Sequence, residues 1–198
     1  MSFHKPAPGS VSFNYADRNP RMFHTVHGDG LAIELDEQGN IKVHRDTPEG
    51  RVERTIGEVP RVIRDRLWHM FEMERTRGNQ IDCHMAAGYV GGQELSRDIQ
   101  IPVGAHLSLQ EALQQFGTPC GMQLRKRGET IPFHSAIILS CETSVPTEGI
   151  TIAYHKRGHN EGEILPVSSV LKRYKFDPQE HEILFYALPD NGRSTDKQ

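Results

Sequence analysis

The pattern of apolar and polar positions divides the chain into three stretches. Residues 31–36 (LAIELD) and 41–46 (IKVHRD) alternate apolar and polar around the turn-type sequence EQGN, which predicts a β-hairpin. Residues 47–58 are charged and contain Pro48, Gly50 and Gly57, which predicts a loop. Residues 1–30 are rich in Pro, Gly, His and Asn and show no period, so they are expected to be irregular.

From Pro60 the period becomes helical. Val62, Ile63, Leu67, Met70, Phe71 and Glu74 form one stripe with a polar last step, and Gly78 stops it. The small residues of IDCHMAAGYVGG (81–92) predict a short, closely packed helix that ends near Gly91. Ser108 and Glu111 form an S-x-x-E capping box ahead of Leu109, Ala112, Leu113 and Phe116, with Gly117 as the stop. Beyond Gly117 the chain reads as strands at 120–127, 132–140, 150–157, 163–167 and 182–189, with a helical turn within 167–174. A hairpin, then helices, then a run of strands argues for an α+β fold, with helices packed on an antiparallel β-sheet.

Composition narrows the function classes. Of 198 residues 36% are hydrophobic, which suits a globular chain. A formal charge of −3 gives no reason to expect nucleic acid as a partner. No apolar run reaches the ~18–20 residues of a membrane helix, and the N-terminus has no leader-like pattern. The expectation is a cytoplasmic protein, or one delivered by a non-classical secretion route. Three cysteines (Cys83, Cys120 and Cys141) are too few for a disulfide scaffold and suit a reducing compartment.

The candidate chemistry centres on Cys83. It opens the short helix behind Asp82, a plausible N-cap. A thiol there feels the positive end of the peptide dipoles, which predicts a lowered pKa, and neighbouring backbone N–H groups suit an oxyanion. His134 lies early in one predicted strand and His155 late in the next. Pairing 140 with 149 sets 134 opposite 155, on one face of the sheet. A cysteine on a helix with two facing histidines is a nucleophile system: one imidazole as base, the second as its orienter. The alternatives are a metal site and a non-catalytic interaction module. Cys83, His84, Cys120, His134, Cys141, His155 and His159 are ligand types, but they lack zinc-finger spacing. No metal or other cofactor is expected.

These residues resemble the NlpC/P60 branch of the papain-like cysteine hydrolases over roughly residues 60–190. Asp82-Cys83 is similar to the family's D-C-S-G motif on a helix. HSAIIL (134–139) is similar to its H-x-G/A-I-Y-L strand, and Tyr154-His155 to its third polar position. The resemblance implies a Cys83–His134–His155 triad that acts on an amide or ester carbonyl through a thioester. The substrate would be a peptide or protein, peptidoglycan stem peptides and a glutamine side chain among the candidates, and the setting that of a delivered effector or toxin. It implies a catalytic domain at 59–190, behind a 1–58 extension carrying the hairpin, with a flexible tail at 191–198. Two departures stand out. The family's tyrosine ahead of the nucleophile has no counterpart in 72–82, which leaves Asn79 or Gln80 as oxyanion or substrate contacts. His84 and Met85 replace Ser-Gly, so His84 is a further substrate-contact candidate.

Overall fold

Two runs of antiparallel strands flank a helical middle. The computed structural model describes residues 11–12, 23–26, 31–77, 80–96, 102–142, 150–157 and 162–189. The expected flexible tail, 191–198, lies outside the described residues. The first sheet runs in the order β1 (Val11–Ser12), β2 (Phe23–Val26), β3 (Leu31–Leu35), β4 (Asn40–Thr47), β5 (Gly50–Glu58). Helices α1 (Arg61–Arg77), α2 (Cys83–Val90) and α3 (Leu109–Phe116) follow. The second sheet joins β6 (Cys120–Lys126), β7 (His134–Cys141), β8 (Thr151–Lys156) and β9 (Gly162–Pro166). Helix α4 (Val167–Arg173) comes next, and β10 (His181–Tyr186) returns to pair with β6. The class is α+β with antiparallel sheets.

The predicted hairpin forms, with Leu35 opposite Ile41. Asp36 holds its turn by accepting from Gln38 N, Asn40 N and Asn40 Nδ2 at 2.8–3.2 Å. Two expectations fail in the same region. Residues 50–58 are the strand β5, not a loop. After the two-residue turn Pro48-Glu49, Gly50 pairs with Thr47. Six of the strand's nine residues in succession are exposed, so it carries charge on both faces and shows no alternation. Such charge is how an edge strand avoids pairing with another chain. Residues 1–30 are not uniformly irregular either: β1 and β2 extend the sheet from the free edge of β3.

One core joins both sheets. Ile33, Leu35, Ile41 and Val43 of the first sheet pack with Ile63, Leu67 and Met70 of α1 and Ala86 and Val90 of α2. The same cluster includes Ile137, Leu139, Ile152 and Tyr154 of the second sheet. The apolar residues of β3 and β4, with Ile56 of β5, are therefore part of this interior. The two sheets also meet directly, where Ser140 Oγ donates to Ile56 O at 2.8 Å. A Cβ on the neighbouring Gly57 would stand 2.1 Å from that oxygen, so only glycine fits there. The other face of the second sheet is covered by α3 and α4, with Met122, Ala136, Ile138, Ala153 and Leu165 against Ala112 and Val170. Burial on both faces explains why β7 and β8 read as nearly continuous apolar runs.

The polar last step of the α1 stripe has a structural reason. Glu74 is buried, accepts from Gly162 N at 2.8 Å, and lies 3.2 Å from the Nζ of the equally buried Lys156. This ion pair fastens α1 to the β8–β9 hairpin. Among the described residues, no helix is long and apolar enough to cross a membrane.

Candidate active site

Helix α2 begins as the sequence predicts. Asp82 is extended (φ −86°, ψ 177°), and its Oδ1 accepts from the N–H groups of His84 and Met85 at 2.8 Å each. Ala86 N donates to Asp82 O. Cys83 is the first helical residue and is half-buried. The backbone N–H groups of Ser135 on β7, of Cys83 itself and of His84 favour its ionised form. The His84 N–H is shared with the cap, which leaves the Cys83 N–H best placed to meet an oxyanion.

The expectation of a lowered thiol pKa fails. Burial pushes Cys83 above the ordinary thiol value, and the Asp82 carboxylate adds to the rise. The three N–H groups act the other way and do not win. The cap that starts the helix brings a negative charge to the sulfur, and the helix terminus alone does not overcome charge plus desolvation.

The two histidines share a face in a register other than the expected one. His155 stands opposite Ala136, and Ser140 opposite Ile152, with a bulge between Ile138 and Ser140. The expected pairing of 140 with 149 misses by three residues, and the bulge absorbs one of them. The remaining offset of two preserves the face. The imidazoles of His134 and His155 therefore meet, with ring centroids 5.3 Å apart and planes at 80°. Both rings are fully buried. Burial drives His134 down to about 2, with His155 and His84 adding to the effect. Burial, Arg173 and Arg157 bring His155 to about 3. Both are neutral near pH 7.

Cys83 approaches the backbone of Ser135, the residue after His134, and no hydrogen bond joins it to the His134 ring. Neither ring nitrogen of His134 has a hydrogen-bond partner. Consecutive strand residues project to opposite faces. Ser135 thus faces α2, while His134 faces the α4 side, where Tyr174 stacks on it at 4.1 Å. His134 is the first residue of β7, so its ring lies at the end of the strand.

The other candidates separate. His84 is half-buried and its Nδ1 pairs with Ser135 Oγ at 2.8 Å, which ties α2 to β7 and leaves Nε2 as the nitrogen it can offer a substrate. Gln80 is exposed in the turn before α2. Asn79 lies outside the described residues. Three residues with no role in the sequence reading complete the cluster. Glu163 contacts His155 from β9, Arg173 pairs with Glu163 from α4, and Tyr174 covers His134. The short glycine-containing segment between β8 and β9 signals a hairpin, and counting across it would have placed Glu163 beside His155. Among the described residues, no group of three or more His, Cys, Asp or Glu is arranged to hold a metal ion.

No protein-family model, curated protein or solved structure matches this chain. The likeness to the NlpC/P60 hydrolases rests on the short motifs alone.

Proposed function

We propose that the protein is a thiol hydrolase or acyltransferase of papain-like, NlpC/P60 type, acting on an amide bond of a peptide or protein. The observation that carries this reading is the buried His134–His155 imidazole pair, whose ring nitrogens have no hydrogen-bond partner, beside Ser135, the next residue of β7, whose backbone N–H acts on Cys83. Buried polar atoms without partners are rare in folded proteins and cluster where a ligand or a reaction supplies the missing contact.

The electrostatics favour a neutral pair over a thiolate–imidazolium pair. Cys83 begins as a thiol and His134 as a neutral imidazole. As the sulfur bonds to the carbonyl carbon, its proton passes to His134, and the Cys83 N–H meets the developing oxyanion. Collapse breaks the C–N bond, the amine leaves with the proton from His134, and a Cys83 thioester forms. Water, deprotonated by His134, then releases the acid and restores the thiol; an amine in place of water gives transfer. His155 orients His134 throughout. Hydrolysis of a stem peptide and deamidation of a glutamine side chain share these steps and differ only in the acyl group.

The activated ester p-nitrophenyl acetate tests the pair without knowledge of the natural substrate. The expected result is an acetyl group on Cys83 found by peptide mass mapping, lost in Cys83→Ala and strongly slowed in His134→Ala, both folded by circular dichroism. Acetylation of Cys141 ahead of Cys83, or an unchanged rate in His134→Ala, would overturn the reading in favour of a structural cysteine in a non-catalytic module.

A further inference from the structure

Strand β9 adds a carboxylate to the imidazole face. Glu163 is directly opposite His155 in the antiparallel register, so the two side chains project to one side. Glu163 Oε2 lies 3.3 Å from His155 Nε2, the nearest charge to that nitrogen although the pair is not aligned as a hydrogen bond. The same oxygen is paired with Arg173 Nη1, from the last turn of α4. Only 14% of the Glu163 side chain is exposed, so this carboxylate is shielded from water and held between a guanidinium and an imidazole.

A carboxylate can only accept, whereas a neutral imidazole has one N–H and one lone pair. The carboxylate at Nε2 therefore selects the tautomer with its proton on that nitrogen, which leaves Nδ1 as an acceptor. We propose that Glu163, anchored by Arg173, is a positioning residue that fixes His155 as the Nε2–H tautomer, so that His155 Nδ1 can accept from His134 and leave the second His134 nitrogen as the base for Cys83. The mechanistic half of this inference rests on the reading of Cys83 and His134 as the reacting pair. The tautomer itself does not. The two rings pack T-shaped with centroids 5.3 Å apart and their nitrogens unpartnered, so the contact is one that a ring rotation has to make. Catalytic hydrogen bonds often tighten only when substrate is bound. A carboxylate present solely to fasten α4 to β9 would need the arginine and not the imidazole.

Two readouts separate these roles. In the wild-type protein at pH 7, long-range 15N–1H correlation of the histidine rings should show His155 protonated at Nε2. In Glu163→Gln, whose amide can donate as well as accept, the signals should move to a mixture or to the Nδ1–H form. Acetylation of Cys83 by p-nitrophenyl acetate should fall by about tenfold or more in Glu163→Gln, with partial recovery in Glu163→Asp, since a wrong tautomer disables a base that is otherwise in place. An unchanged His155 tautomer in Glu163→Gln overturns the inference even if Cys83 is reactive. A shifted tautomer with an unreactive wild-type Cys83 upholds the control of His155 and instead removes the nucleophile reading.

Discussion

His84 Nδ1 and Ser135 Oγ lie 2.8 Å apart, so the residue after the proposed nucleophile is bonded to the residue after the proposed base. This contact spans 51 positions and joins the first turn of α2 to the first turn-out of β7. It fixes how the helix end meets the strand end, and with it the distance between sulfur and imidazole. Ser135→Ala should cost only about 1 kcal/mol of stability in urea unfolding, the ordinary value of one hydrogen bond. Its effect on the acetylation rate of Cys83 should be larger than that stability loss implies. Equal rates in Ser135→Ala and wild type would show that the contact does not position the thiol.

The Asp82 carboxylate caps α2 and at the same time opposes ionisation of Cys83. Asparagine caps a helix about as well as aspartate but carries no charge. Asp82→Asn should therefore leave the melting temperature nearly unchanged and lower the midpoint of Cys83 alkylation by iodoacetamide along a pH series. In the wild type that midpoint should lie above the ordinary thiol value. A wild-type midpoint below it would restore the ion-pair mechanism that the helix terminus alone suggests.

Local signals in the sequence carried the elements that form the site. The S-x-x-E box at Ser108 forms with both of its bonds, Asp82 caps α2, and the strand with HSAIIL begins at His134. What was not legible depends on contacts between distant segments. The bulge at Ile138–Ser140 changes the register of β7 and β8, yet the shared face survives because the residual error is even. The charged stretch at 50–58 reads as loop because an edge strand exposed on both sides has no alternation to detect. The pKa of Cys83 depends on how deeply α2 packs, and Tyr174 reaches His134 only through the docking of α4 on the sheet. His44, which stands beside charged residues in IKVHRD, is buried, and its Nδ1 lies 3.0 Å from Arg51 Nη2 across the β4–β5 hairpin.

The ion pair of Glu74 with Lys156 makes a prediction about stability apart from the chemistry. Both groups are almost wholly buried, with Lys156 1% exposed. Removing one partner leaves a buried charge, which typically costs ~3–5 kcal/mol, whereas replacing both by apolar groups of similar size is often neutral. Lys156→Met and Glu74→Leu should each destabilise severely by urea unfolding. The double variant should recover most of the loss, minus the bond from Gly162 N. If the double variant is no better than either single one, the pair is not an isolated unit of α1 docking.

The buried histidines set the acid limit of the fold. In the unfolded chain a histidine titrates near ~6.5. In the native protein burial holds His134 at about 2 and His155 at about 3, so both refuse protons that the unfolded chain accepts. Their folded values are depressed, so acid favours unfolding. Stability should be level above roughly pH 7 and fall below ~6.5, by up to ~1.4 kcal/mol per pH unit for each histidine. Between pH 7 and pH 5 the two together should remove about 4 kcal/mol. Urea unfolding across this range checks the slope, and His155→Gln should roughly halve it. Catalysis has a different dependence, because the base must be neutral and is already so. Acetylation of Cys83 in the native protein should therefore show no histidine-type step near pH 6.5 and should fail only when the fold does. A protonation step at that pH, with the structure intact, would place His134 in contact with water and remove the neutral-pair mechanism.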